Sequence, residues 1–227
     1  TKPIEELYDL QHDPDEVRNL AASPQHRGVL DRMRKAQEEL ALKIRDVGFL
    51  PEHEVHARAK GSTPFEMGHD EKRYSAGKVI QAAKLATSTA DEKQLTQMLS
   101  DSDSGVRYWA ATGFLIRGQD AVQRSTPVLH KALHDSAAVV RIVAAEALGK
   151  YGRKEDLEKA LVVLMELAPP DRNGIYLSML ALNAIDTLGP KADGVRKKVG
   201  ELPKLDPAAD PRMKEYTVRL IEHITRS

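Results

Sequence analysis

His130 and His134 stand four residues apart in a helical stretch, a spacing at which two imidazoles can share a divalent cation. Their neighbours Leu129 and Leu133 point to a core, which leaves the histidines at its edge with Asp135 as the nearby acid. His53 and His56, beside Glu52 and Glu54, form a second cation-binding candidate. They lie in a segment without helical or strand period, where a solvated polar loop is the simpler reading. His69-Asp70 has the order of a catalytic dyad but no nucleophile to go with it; capping of the next helix is the alternative. Cysteine is absent, which removes disulfides, zinc–thiolate sites and a thiol nucleophile from this chain. No catalytic, cofactor-binding or metal-ligating set is therefore assigned. A small helical enzyme built on histidine ranks last among the functional readings.

Arginine offers a second chemistry. Arg107 and Arg141 recur at a step of 34 residues, and guanidinium groups repeating along a solenoid can track phosphates or sulfates. The aspartates that accompany them, Asp101 and Asp135, favour internal ion pairing instead. Tyr108-Trp109, beside Arg107, is an aromatic pair able to stack on a sugar ring or a partner's side chain; packing between helices is the plainer alternative. Arg196-Lys197-Lys198 is a short charge run that reads as a solvated face.

These residues belong to a pattern that occurs twice. Leu95, Leu99, Asp101, Val106, Arg107 and Ala110 recur as Leu129, Leu133, Asp135, Val140, Arg141 and Ala144, each 34 residues further on. A fixed period of this length signals stacked helical units. Leu95 and Leu99 share one helical face. Asp101 and Asp103 fall in the turn, and Val106, Ala110 and Phe114 form a second stripe. Arg73, Ala76 and Ile80 stand 34 residues before Arg107, Ala110 and Phe114, an earlier and degenerate copy. Leu157, Leu161 and Leu164 pair with Leu177, Leu180, Ala184, Ile185 and Leu188, a hairpin ended by Gly189-Pro190. Val195–Leu202 and Met213–Ile224 make the last pair. That arrangement predicts about four helical hairpins, weaker at both ends, where a unit meets solvent on one side.

The Leu-x3-Leu-x-Asp-x4-Val-Arg-x2-Ala-Ala pattern resembles the HEAT repeat family, over residues 71–227 and most closely over 91–152. The resemblance implies an all-α fold, a right-handed α-α superhelix of helical hairpins that serves as a protein-binding or domain-docking scaffold. In that family the turn aspartate and the following arginine form a hydrogen-bonded ladder between repeats. By position those roles fall to Asp101, Arg107, Asp135 and Arg141, with Arg73 beginning the ladder. Ala181 stands where the third unit would carry its arginine, so the ladder is expected to stop or weaken there. Tyr108 and Trp109 are the candidate interaction surface.

Ahead of the repeats, residues 1–10 read as a short extended strand with no partner strand in the chain. Asp13-Pro14-Asp15-Glu16 reads as a helix start, with Asp13 as N-cap, Glu16 as its capping partner, and Val17 and Leu20 facing inward. Ser23-Pro24 opens a longer helix over 24–46, striped by Val29, Leu30, Met33, Ala36, Leu40 and Ile44 and stopped by Gly48. Residues 47–70 show neither period and are expected to form an irregular connecting segment lying along another surface. The division is then 1–46, 47–70 and 71–227.

Glu5-Glu6-Leu7-Tyr8-Asp9-Leu10, followed by Asp13-Pro14-Asp15-Glu16-Val17 and Asn19-Leu20-Ala21, resembles the C-terminal end of a sulfatase of the arylsulfatase type, over about residues 4–46. In that family Glu-Leu-Tyr-Asp-Leu is a strand of the small C-terminal subdomain, so the resemblance implies that the strand's partners lie in a catalytic domain of the same polypeptide. It further implies that calcium and formylglycine belong to that domain, that the parent is a sulfuric ester hydrolase, with sulfated glycans among its possible substrates, and that its setting is periplasmic or extracellular. The family's signature is Cys or Ser followed by x-Pro-x-Arg. Ser62-Thr63-Pro64-Phe65-Glu66 has the serine and proline and lacks the arginine. The expectation is a non-catalytic accessory C-terminal domain without a cofactor of its own, joined to a HEAT-like extension, whose partners are that catalytic domain and other proteins.

Composition narrows the partners further. Lys+Arg and Asp+Glu both total 34, so the formal net charge is zero and no global field draws the chain to nucleic acid or membrane. An independent nucleic-acid-binding HEAT-like module is the alternative reading, and it requires a basic inner face. No run of 18 apolar residues is present. Aromatic residues make up 4% of the chain, and its Ala- and Leu-rich apolar set suits close helix–helix packing. The chain starts at Thr1 without an initiator Met, which reads as a mature product or an excised fragment.

Overall fold

The structure, a computed structural model, describes Pro3, residues 5–88 and residues 91–226. It divides into two compact units, Thr1–Asp46 and Val47–Ser227.

The first unit is built on α1 (Arg27–Ile44), entered through a 3-10 turn at Pro24–His26. Proline suits that entry because its fixed φ matches the first helical turn and its missing N–H would have had no partner there. The helix stops earlier than Gly48. Arg45 takes the left-handed conformation at φ 52° and turns its N–H back to the carbonyls of Ala41 and Leu42. Leu30 and Ala41 are buried, whereas Met33, Leu40 and Ile44 of the same stripe stand exposed.

Two expectations upstream of α1 are corrected. There is no strand among the described residues, and Thr1, Lys2 and Ile4 of the expected strand lie outside them. Residues 5–9 are instead held by one side chain. Asn19 Oδ1 accepts the N–H groups of Leu7 (3.0 Å) and Ala21 (2.9 Å), and Asn19 Nδ2 donates to the carbonyl of Glu5 (2.9 Å). Leu20 N–H completes the clip by donating to Leu7 O at 2.7 Å. The backbone groups that would need a neighbouring strand are thus satisfied locally. Nor does Asp13 start a helix. Its carboxylate accepts from Val17 N–H (3.1 Å) and Arg18 N–H (2.8 Å), but Glu16 sits at φ 54°, a left-handed turn that no α-helix tolerates. Val17 consequently faces solvent.

The second unit begins with another correction. Residues 47–70 are not irregular: a 3-10 turn at Val47–Phe49 leads into α2 (Glu52–Arg58) and α3 (Pro64–Gly68). Helices this short hold two turns or fewer, too few to display a 3.6-residue period. Thr63 and Glu66 form a reciprocal capping box on α3.

The remaining helices are α4 (Ala76–Thr87), α5 (Glu92–Met98), α6 (Ser104–Arg117), α7 (Gln119–Arg124), α8 (Thr126–Ala132), α9 (Ala138–Tyr151), α10 (Lys154–Leu167), α11 (Pro170–Asn173), α12 (Ile175–Thr187), α13 (Asp193–Gly200) and α14 (Lys214–Arg226). They assemble as a row. α4 packs on α6, α6 on α9, α9 on α12 and α12 on α14. A second layer covers them: α5 lies on α6, α7 and α8 on α9, α10 on both α9 and α12, and α13 on α14. α9 is central and apolar on nearly every face, with Val139, Val140, Ile142, Ala144, Ala145 and Leu148 all buried. Leu95, Phe114, Leu129, Leu164, Leu182 and Ile185 fill the space around it without exposure, each contributing about 1.5–3 kcal/mol by leaving water. Close approach depends on Gly113, where a Cβ would come within 2.9 Å of Leu95.

Candidate interaction surface

The turns that open the inner helices carry the repeated charges. Asp101 Oδ1 accepts the N–H of Asp103, and Asp135 Oδ1 accepts that of Ala137, both at 2.8 Å. The same aspartate turn therefore recurs in both copies, with the side chain mimicking a backbone acceptor two residues on. Arg107, in the first turn of α6, holds its own turn by donating from Nη1 to the carbonyls of Asp101 (2.8 Å) and Ser102 (3.1 Å). The rest of its guanidinium reaches the next unit, where Nε and Nη2 meet the two carboxylate oxygens of Asp135 at 2.7 and 2.8 Å. Burial would raise the Asp135 carboxyl, but hydrogen bonds from Arg107 and the Ala137 N–H outweigh it and hold the group below the usual carboxylate range. The bond to Asp135 likewise raises Arg107.

On either side of this pair the geometry changes. Arg141 Nε donates to Leu133 O at 3.2 Å, and its Nη2 donates to Glu166 Oε2 at 2.8 Å. The position 34 residues after Asp135 is Pro169, so the acid comes from the end of α10 instead. Ala181 is buried on α12. Arg73 does not face Asp101. It donates to Ser62 Oγ (2.7 Å) and Arg58 O (3.4 Å) and pairs with Asp70 at 3.5 Å, while Lys78 Nζ stands 3.7 Å from Asp101. The cause is register. Arg107 and Arg141 lie inside the first turns of α6 and α9, whereas Arg73 precedes the first residue of α4.

Trp109 and Tyr108 are half-buried and meet edge to face at 5.7 Å between ring centres. The Trp109 indole N–H donates to Phe49 O at 2.7 Å, so the tryptophan grips main chain from the 47–49 turn. A cluster absent from the sequence reading lies close by. Arg58 donates from Nη2 to Asp103 Oδ1 (2.6 Å) and Ser104 Oγ (2.7 Å), and from Nε to Glu54 Oε2 (2.8 Å). Ser104 Oγ in turn donates to Glu54 Oε2 at 2.6 Å. The four-residue spacing of Glu54 and Arg58 was a visible helix-pair signal; their reach to Asp103, 45 positions from Arg58, was not.

The histidines separate. α8 ends at Ala132, which takes the exposed His134 off the face that bears His130. His130 Nε2 lies 2.6 Å from Asp156 Oδ1, and Asp156 Oδ2 also accepts the N–H of Arg153 at 2.7 Å. His56 pairs with Glu52 at 3.1 Å and stacks on Tyr176, while burial pushes the His53 imidazole below its usual pKa. His69 Nδ1 bonds Phe65 O at 2.8 Å and closes α3, and Asp70 turns to the N–H of Lys72. Ser62 Oγ donates to Ala59 O at 3.1 Å, beside the cap of α3. Among the described residues no group of three His, Cys, Asp or Glu could hold a metal ion. These residues do not fit a formylglycine and calcium centre, because no cysteine is present and both Ser-x-Pro sequences, Ser62-Thr63-Pro64 and Ser125-Thr126-Pro127, lack the arginine and start helices, α3 and α8.

The HEAT repeats family model matches residues 92–183, the stretch from α5 into α12. No curated protein and no solved structure matches the chain. The match supports HEAT repeats in the central row; the sulfatase resemblance of the first 46 residues has no counterpart in these comparisons. No helix among the described residues is long and apolar enough to cross a membrane.

Proposed function

We propose that the chain is a non-catalytic interaction scaffold, a HEAT-like stack of helical hairpins that docks protein partners. The observation that carries this reading is the match of residues 92–183 to HEAT repeats, lying on a row of helices joined by internal charge pairs. Stacked repeats of this kind expose long surfaces while each unit buries its own apolar faces. A right-handed superhelix is the finer architecture that goes with the reading.

The first 46 residues extend the proposal. Their residue pattern resembles the C-terminal end of a sulfatase, and the exposed Met33, Leu40 and Ile44 on α1 form a face suited to docking on the catalytic domain of such a polypeptide. Formylglycine and calcium would belong to that domain. The test is the coding sequence upstream of Thr1. A Cys/Ser-x-Pro-x-Arg signature there is the expected result, and a frame without one overturns the sulfatase origin while leaving the scaffold standing. The purified chain should show no turnover of an aryl sulfate; hydrolysis above the buffer blank overturns the non-catalytic reading. Nucleic acid is disfavoured because Arg58, Arg73, Arg107 and Arg141 are all engaged by acids within the fold.

A further inference from the structure

In a stack of helical hairpins each unit touches only its neighbours, so curvature depends on a series of soft pairwise interfaces. Residues 47–59 depart from that rule. The 47–49 turn packs on α4, and side chains of the segment reach two inner helices that are not neighbours, α6 through Trp109, Asp103 and Ser104 and α12 through Tyr176, which are separated in the row by α9.

The end at α6 is fastened firmly. Leu50 is buried against Gly105, at which even a Cβ would come within 2.6 Å of the Leu50 side chain. Trp109 holds Phe49 O, and the Glu54–Arg58 pair is locked onto Ser104 and Asp103 with side chains no more than 15% exposed. Charges this desolvated and this fully bonded are costly to separate. At α12 the attachment is lighter. The His56 ring stacks on Tyr176 with centres 4.5 Å apart and planes 11° from parallel. Pro51 and His53 face Tyr176, Met179 and Leu180 across a cleft of about 410 Å³.

We propose that residues 47–59 are an internal brace, tying α6 to α12 across α9 and holding the inner row at one curvature. The brace turns an elastic stack into a preset docking surface, which lowers the ordering cost of binding a partner. Its two ends are unequal, so slack enters first at α12.

Because the full chain has no cysteine, K93C and K197C on the exposed faces of α5 and α13 take spin labels without competition. Pulsed electron resonance should give a narrow distance distribution in that background. His56→Ala, which removes the ring stacked on Tyr176 and leaves the Tyr176 hydroxyl on Met213, should widen it by about twofold as inter-unit motion is released. An unchanged width in a variant that retains its helical circular dichroism overturns the brace. If that variant fails to fold, hydrogen exchange on the unaltered chain decides. Amides of α2 protected to within about a hundredfold of those in α12 support the brace, and faster exchange than that overturns it.

Discussion

Arg107 and Asp135 meet at two points, Nε to Oδ2 at 2.7 Å and Nη2 to Oδ1 at 2.8 Å, and so join two consecutive helical hairpins. Both side chains are 12% exposed, which strengthens the attraction and makes either partner costly to leave alone. Asp135→Asn keeps the shape and strands the guanidinium, so it should lower the unfolding free energy by about 3 kcal/mol in urea titrations. Arg107→Lys keeps the charge but loses the fork, and a smaller loss of about 1–2 kcal/mol is expected. Parent-like stability in Asp135→Asn would refute the account.

The same pair sets an acid limit. The Asp135 carboxyl is held below the usual range in the folded chain, since hydrogen bonds from Arg107 and Ala137 more than offset the opposing effect of burial. A depressed folded value means stabilisation that is complete above the unfolded value of about 4 and is lost as pH falls through the lower folded one. Thermal melts of the parent and Asp135→Asn should therefore differ at pH 7 and converge as acidification carries the pH through the lowered folded value. A gap independent of pH would contradict the linkage.

His53 gives a second pH leg. Burial lowers its pKa, with the Glu54 charge opposing and the His56 charge adding to the effect. The unfolded chain then takes up a proton first, so stability holds above the ordinary histidine value of about 6.5 and declines as pH falls through it. Replacing His53 with Gln should flatten this part of the stability profile between neutral pH and pH 5.5. A slope that survives the change assigns it to another group.

Gly152 is sterically committed. A Cβ there would stand 2.4 Å from Leu148 O and 2.6 Å from Asp156 Cβ, and Asp156 is the buried partner of His130. Gly152→Ala should cost about 1–3 kcal/mol through overpacking, read as a lower denaturant midpoint with an unchanged slope. An unaltered midpoint would mean that α10 moves aside freely.

Trp109→Phe removes the donor that holds Phe49 O while keeping most of the ring. A loss of about 1 kcal/mol is expected from the unpaired carbonyl. Increased protease sensitivity near Phe49 would show the turn loosening, and an unchanged cleavage pattern would argue that Leu50 alone secures it.

Much of the row was legible in advance because helical periodicity is a local property. Leu95 with Leu99 and Val106 with Ala110 mark faces through spacings of three and four, and copying those spacings after 34 residues signals the next hairpin. Around the candidate surface, less was visible. Arg73 matches Arg107 in sequence but stands before its helix begins, so its guanidinium finds Ser62 and Asp70. The strand and helix start expected of residues 1–16 gave way to the Asn19 clip and the left-handed Glu16, because a side chain 12 positions from Leu7 satisfied its N–H.

The sequence by itself determined the all-α character of residues 71–226, the 34-residue step and the aspartate turns, all of which follow from interactions within a few residues. Only the tertiary structure decided what the turns and the connecting segment touch. Arg107 reaches Asp135 across 28 positions, His130 reaches Asp156 across 26, and Arg58 reaches Asp103 across 45. Such partners are chosen by which charges the packed core brings together away from water, where an unpaired group is too costly to leave, and no spacing along the chain encodes that choice.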